Sequence, residues 1–267
     1  MVGRLNSIGR ERLLKKICFQ CNICGEICDS DFSQLSREEI SCFRCGSTVR
    51  MRAIIHLLSM SLFGNSLALP HFPVNDKIKG LGMSDWEGYA LPLAQKFNYV
   101  NTFYHQEPRL DIVKVEPKWH NQFDFIISSD VFEHVPPPVH IAFENVRKML
   151  KPGGTFIFTV PYSKLSQTTE HFPDLFDYEI IVEKEQKKLI NVTRDGHKQV
   201  YENLIFHGGS GATLEMRVFS EASLLVHFQE AGFPIVKIHG QSNLKYGIHW
   251  EQQWSLPITA RVGDLSL

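Results

Sequence analysis

Two apolar runs, FDFIIS at 123–128 and GTFIFTVPY at 154–162, bracket a helical pattern, PVHIAFENVRKML at 138–150. Strands that are apolar on both faces must be covered on both faces, which is the situation of a parallel sheet between helix layers. The same alternation extends in both directions. KIKGLGM at 77–83 reads as a strand ending in glycines, WEGYALPLAQKF at 86–97 as a helix containing a proline, YVNTFY at 99–104 as a strand, and LDIVKV at 110–115 as a third strand or its approach. SEASLLVHFQEA and PIVKIHG supply a last helix and strand. The expected class is therefore α/β, with a doubly wound, mostly parallel sheet.

Ahead of this pattern lie two cysteine knuckles, Cys21-x-x-Cys24-Gly and Cys42-x-x-Cys45-Gly, separated by 17 residues. Two such turns can offer four thiolates to one tetrahedral ion, so Cys21, Cys24, Cys42 and Cys45 are read as a structural zinc site. The glycine after each pair lets the backbone turn back tightly. Cys18 and Cys28 lack that glycine and are read as free thiols beside the site. Four protein ligands close the coordination sphere, and the metal's work would be to fold a segment too small to build its own core.

With 28 Lys and Arg against 29 Asp and Glu, the chain has no charge signature of nonspecific nucleic-acid or acidic-membrane binding. Arg44, Arg50 and Arg52 follow the second knuckle, but no interleaved aromatics make a stacking platform, so nucleic-acid contact is not expected. No secretory signal is legible at the N-terminus, and a cytoplasmic location is expected. Residues 53–75 carry no Asp, Glu, Lys or Arg, yet polar residues interrupt them, which fits a helix from Thr48 to about Phe63 stopped by Gly64 rather than a membrane span.

FDFIISSDVFEHV, followed one helix later by VRKMLKPGGTFIFTVP, resembles the fourth-to-fifth strand core of class I S-adenosylmethionine-dependent methyltransferases. The resemblance implies a seven-stranded Rossmann-like sheet and places Ser129 and Asp130 at the mouth of the cofactor pocket. It also implies that the turn KGLGMSD, with Gly80, Gly82 and Asp85, faces the cofactor's methionine end, and that Asp111 is aimed at the adenine amino group. The family's acidic ribose ligand has no counterpart at the second strand, where Asn101, His105 and Glu107 stand instead. With its knuckles and CGS..R.RA run included, the chain is similar to a bacterial group of methyltransferases carrying an N-terminal zinc ribbon, commonly associated with cell-surface polysaccharide or secondary-metabolite pathways.

These readings divide the chain into a zinc-ribbon module with its linking helix (1–64) and a methyltransferase domain (65–267). Within the latter, 162–219 is far longer than a crossover needs and alternates like strands, with Asp195-Gly196 as a hairpin turn, so a β-rich cap over the site is expected. The expected activity is methyl transfer from S-adenosylmethionine to a hydroxyl or similar nucleophile of a small-molecule or saccharide acceptor. An RNA base methyltransferase and a non-catalytic zinc-ribbon scaffold are the alternatives. Proton removal from an alcohol favours histidine, whose ordinary pKa lies near working pH, and the candidates are His207, His171 and His134. His207 precedes Gly208 and Gly209, which would let an acceptor approach. The sequence leaves the oligomeric state open.

Overall fold

The structure, a computed structural model, describes residues 16–183, 185–207 and 213–263. The first two strands, β1 (Lys16–Gln20) and β2 (Ile27–Asp31), pair antiparallel around the first knuckle. The second knuckle leads into α1 (Val49–Phe63), whose start is fixed by Thr48 as N-cap and whose end is Gly64 in the left-handed conformation, φ 68°. Both boundaries are those expected from the sequence, because a threonine oxygen satisfies an early amide and only glycine takes that φ without strain.

The alternating segment then gives β3 (Asn75–Met83), α2 (Glu87–Lys96), β4 (Phe97–Thr102), β5 (Phe123–Ser129), α3 (His140–Met149) and β6 (Leu150–Thr159). Pro92 lies within α2. The inserted region holds β7 (Tyr162–Ser163), β8 (Thr169–Glu170), β9 (Asp177–Glu183), β10 (Gln186–Val192), β11 (Lys198–Tyr201), β12 (Phe206–His207), β13 (Thr213–Leu214) and β14 (Arg217–Ser220). The chain closes with α4 (Glu221–Glu230), β15 (Ile235–Ile238) and β16 (Ile258–Arg261). No helix among the described residues is long and apolar enough to cross a membrane.

The central sheet runs β15-β16-β6-β5-β3-β4, with β4, β3, β5 and β6 parallel and β16 antiparallel to both neighbours. Its faces carry different aromatic clusters, which explains the continuous apolar runs. Phe156 and Phe158 meet Phe143 of α3 and Phe228 of α4 on one side, while Phe125 stacks on Tyr99 and meets Phe97 on the other. One core is continuous from Phe19 and Ile23 of the first knuckle through Ile54 and Leu58 of α1 to the sheet. Phe172, Leu189, Leu214 and Met216 form a separate small core in the insertion, whose β9, β10 and β11 make their own antiparallel sheet.

The expected seven strands are six among the described residues. LDIVKV does not become a strand. Arg109, just before it, makes one isolated parallel bridge with Phe103, and the run itself then turns, because Asp111 Oδ1 accepts the Val113 amide and the Asp111 carbonyl accepts that of Lys114.

Candidate active site and cysteine cluster

From β3 the chain passes to β4 on one side and then to β5 on the other, so the sheet reverses its winding between β3 and β5. Ligands of open α/β sheets bind outside the strands' carboxyl ends at such a point. Here the facing ends are Gly82–Asp85 and Ser128–Asp130, with Met83 in register with Ser128. Ser84 and Asp130 take φ 56° and 55°, the left-handed region that non-glycine residues adopt only when their surroundings hold them there.

Beneath the β3 turn, Gly80 and Gly82 make room for the protein's own side chains. A Cβ on Gly80 would fall 2.1 Å from the Phe125 ring, and one on Gly82 would fall 2.0 Å from the Tyr99 hydroxyl and 2.4 Å from Asp85 Oδ2. Gly82→Ala is therefore expected to cost about 3 kcal/mol of stability through overpacking of a buried polar cluster, readable as a lower denaturant midpoint at unchanged slope.

Asp85 lies inside the fold. Its carboxyl accepts from the Tyr89 hydroxyl at 2.8 Å and the Tyr99 hydroxyl at 2.5 Å, and the residue is 3% exposed. Its backbone is bracketed by Asn101, whose side chain accepts the Asp85 amide and donates to its carbonyl. Burial pushes the carboxyl up to about 7, against the pull of both phenols and of Arg50. Since the unfolded chain gives up this proton near the ordinary 3.8, ionisation favours the unfolded state and stability falls as pH rises from about 4 to about 7. Asp85→Asn is expected to flatten that fall, worth up to about 4 kcal/mol, in denaturation midpoints measured from pH 4 to 8.

On the β5 side Asp130 is held by two arginines of the N-terminal segment. Arg37 is bidentate, at 2.6 and 3.0 Å, and Arg50 Nε lies 3.2 Å from Oδ2. Arg50 also donates to Ser129 Oγ and pairs with Glu38. Burial alone would raise the Asp130 carboxyl, but the two guanidiniums outweigh it and hold it below the usual carboxylate range. Asp111, half-buried, caps its own turn, and Asn145 of α3 pins that turn by donating to the Ile112 carbonyl at 2.8 Å. His105 and Glu107 are exposed.

Beyond Asp130 the structure brings the three candidate histidines together, two of them on one carboxylate and the third beside His207. His171 Nε2 lies 2.8 Å from Glu215 Oε1, and His207 Nε2 lies 2.7 Å from Oε2. The His134 ring is 5.8 Å from that of His207, and its Nδ1 is 3.0 Å from the Leu214 carbonyl. A carbonyl only accepts, so His134 Nδ1 carries the hydrogen and neutral Nε2 keeps the lone pair. The carboxylate of Glu215 likewise fixes hydrogens on Nε2 of His171 and His207, leaving Nδ1 of each as the basic nitrogen. Burial lowers His134, and Glu133, 3.9 Å away, is raised well above the carboxylate range by burial and by Asp130. One Glu133 oxygen has no hydrogen-bond partner among the described residues. The insertion is stitched to this corner by Met216, whose amide donates to the Glu133 carbonyl and whose own carbonyl accepts from His171. His171 and Glu215 line a pocket of about 190 Å³ with Phe172 and residues 201–205. Gly208 and Gly209, read as leaving room beside His207, lie outside the described residues.

The knuckle sulfurs converge as their spacing implied. Cys21, Cys24, Cys42 and Cys45 place their Sγ atoms within 4.8 Å of one another, with Cys21–Cys45 at 3.7 Å, Cys24–Cys42 at 3.8 Å and Cys42–Cys45 at 3.5 Å. A tetrahedral ion with bonds of about 2.3 Å needs sulfur separations of about 3.8 Å. Gly25 and Gly46 take φ 85° and 80° and return amides to the Cys21 and Cys42 carbonyls. Cys18 is exposed, whereas Cys28 Sγ sits 3.3 Å from Cys42 Sγ. Arg52, fully buried, locks the second knuckle by donating to the Ser47 carbonyl, Ser41 Oγ and the Gly247 carbonyl.

Glu215, Arg37 and Arg50 are functional candidates that the sequence did not single out for this corner. Arg50 carried a faint signal in the CGS..R.RA run, while Glu215 sits in an irregular stretch without periodicity.

Residues 87–238, more than half of the chain, match the family model described as a methyltransferase domain. The chain belongs to the methyltransferase domain family, enzymes whose methyl donor is S-adenosylmethionine. No curated protein matches the chain. Among solved structures it is similar to the Burkholderia thailandensis 1,6-didemethyltoxoflavin-N1-methyltransferase bound to S-adenosylhomocysteine, at 16% identity and TM-score 0.44, over 80% of this chain and 78% of that one. An S-adenosylmethionine-dependent methyltransferase from Clostridium acetobutylicum gives 16% identity and TM-score 0.42, over 70% and 85%. CalS10, an amino pentose methyltransferase from Micromonospora echinaspora, gives 11% and 0.43, over 82% and 94%.

Proposed function

We propose that this enzyme methylates a hydroxyl or comparable nucleophile of a small-molecule or saccharide acceptor, with the cofactor in the β3/β5 crevice and the acceptor beside the histidines. The carrying observation is the group His134, His171 and His207 gathered about Glu215 at the carboxyl edge of the sheet. Bound S-adenosylmethionine supplies a methyl on a positively charged sulfur. The protein's part is to align the acceptor and take its proton. His207 is the base in this reading. Glu215 orients it and offsets the charge that forms on its ring, as a carboxylate does behind a catalytic histidine. Ser129 and Asp130 border the cofactor on one side, with Gly80 and Gly82 shaping the turn opposite and Asp111 available to the adenine amine.

We assign the four-cysteine cluster to structural zinc, on its sulfur separations and closed ligand set. The insertion 162–219 serves as a cap that carries His171 and His207 to the corner beside His134. Arg50 and Arg52 point into the protein rather than across a basic surface, which favours a neutral acceptor over RNA. The test is incubation with S-adenosylmethionine tritiated in its methyl group and separated small-molecule, glycan and RNA fractions. Label is expected in the small-molecule or glycan fraction. Label confined to RNA, or none anywhere with a cofactor-binding protein, would overturn the reading.

A further inference from the structure

The crevice between β3 and β5 contains an ion cluster that methyl transfer itself does not require. Arg37 and Arg50 converge on Asp130, Glu38 binds both guanidiniums from outside, and Thr159 Oγ1 donates to Asp130 Oδ1 at 3.1 Å. Arg37 is further tied to the Ser255 carbonyl at 3.0 Å. Two positive and two negative groups thus balance. The side chains of Arg37, Arg50 and Asp130 keep 17%, 14% and 20% exposure, so solutes entering the crevice can reach them. Asp130 occupies this place at the expense of a left-handed backbone conformation, a strain of order 1 kcal/mol or more that a purely structural ion pair on the surface would not need.

We infer that Arg37 and Arg50, delivered by the cysteine-rich module, form with Asp130 the receptor for a zwitterionic α-amino-acid group, that of the cofactor's methionine end. This assignment rests on the crevice being the cofactor site. An α-amino acid presents an ammonium and a carboxylate on one carbon, and so can exchange with an existing arginine–aspartate contact without leaving either charge unpaired. Asp130 takes the ammonium, and the Arg50 and Arg37 forks take the carboxylate, the geometry for which guanidinium is suited. A ligand carrying only negative charge would displace Asp130 from both arginines and strand it in a mostly buried position. The module is then part of the active site, because its chain between the knuckles carries Arg37 and the first turn of α1 carries Arg50.

Calorimetry with two probes separates this role from a structural one. S-adenosylhomocysteine has the amino-acid end, and 5′-methylthioadenosine is an adenosyl thioether that lacks it. Arg50→Met and Arg37→Met are each expected to weaken S-adenosylhomocysteine by roughly tenfold to hundredfold, as loss of a charge-assisted contact does. Binding of 5′-methylthioadenosine should stay within about threefold. Unchanged S-adenosylhomocysteine affinity, or equal loss for both probes, would overturn the assignment. If Arg50→Met does not fold, Arg50→Lys keeps the charge without the fork, and selective or equal loss decides in the same way. Wild-type protein that binds neither probe would overturn the crevice as cofactor site, and the assignment with it. Binding of 5′-methylthioadenosine alone would overturn the assignment only.

Discussion

Cys42→Ser is expected to release the metal and abolish the cooperative melting of the whole protein. Structural zinc bound by thiolates supplies about 10–16 kcal/mol of apparent folding free energy, against a total stability of about 5–15 kcal/mol for ordinary domains. The knuckles are not an appendage whose loss the rest would survive. Phe19, Cys21, Ile23, Cys28 and Leu35 belong to the same continuous core as the sheet, and Arg52 ties Ser47 to Gly247 near the other end of the chain. Without a cation the cluster is internally opposed. Cys21 is lowered to about 4 because the Cys45 thiol donates to it, while burial pushes Cys24 up to about 11. Four thiolates need a counter-ion. Metal analysis and a thermal melt check the expectation, with Cys18→Ser and Cys28→Ser as controls that keep the metal. Stoichiometric zinc in Cys42→Ser at an unchanged Tm would show that Cys28, 3.3 Å from Cys42, replaces it, or that the metal is held by other residues.

The second large effect concerns the proton. Glu215→Gln should lower kcat by about 10²-fold and His207→Ala by about 10²–10⁴-fold, the range spanned by a positioned general base, with KM for the cofactor unchanged. Gln keeps the shape but offers one of its two Glu215 positions as an amide donor. One histidine must then reverse its tautomer or lose its bond, since both present Nε2 to this residue. The discriminating signal is kcat set against stability. A fall in kcat at an unchanged Tm marks Glu215 as a residue that positions the histidines, whereas a matching loss of Tm would make it a structural residue of the insertion. His171→Ala is expected to act more weakly than His207→Ala.

Local signals carried most of the fold. The knuckles and α1 with both its caps depend on residues a few positions apart, and the runs that became β5 and β6 announce burial on both faces by composition alone. Where long-range partners decide, the sequence was silent. Asp85 looked like a residue of the turn's mouth, but two tyrosines, Tyr89 one helical turn on and Tyr99 across the sheet, draw its carboxyl into the core. LDIVKV has the apolar content of a strand, yet the Asp111 side chain closes a turn that ends the pairing. The three histidines could be named individually. That His171 and His207 share Glu215 beside His134 depends on β14 and the preceding irregular chain returning to the exit of β5, which no periodicity encodes. Arg37 and Arg50 are 93 and 80 residues from Asp130 in the chain, and nothing local joins them.

Amide hydrogen exchange of the wild-type protein with and without saturating S-adenosylhomocysteine tests the central claim, that the crevice between β3 and β5 holds the cofactor within reach of the histidines. Protection is expected at the turn 82–85, around Asp111 and at 128–134, with little change in β9, β10 and β11. Saturable binding that leaves 82–85 and 128–134 unprotected, or protection confined to another part of the molecule, would contradict it.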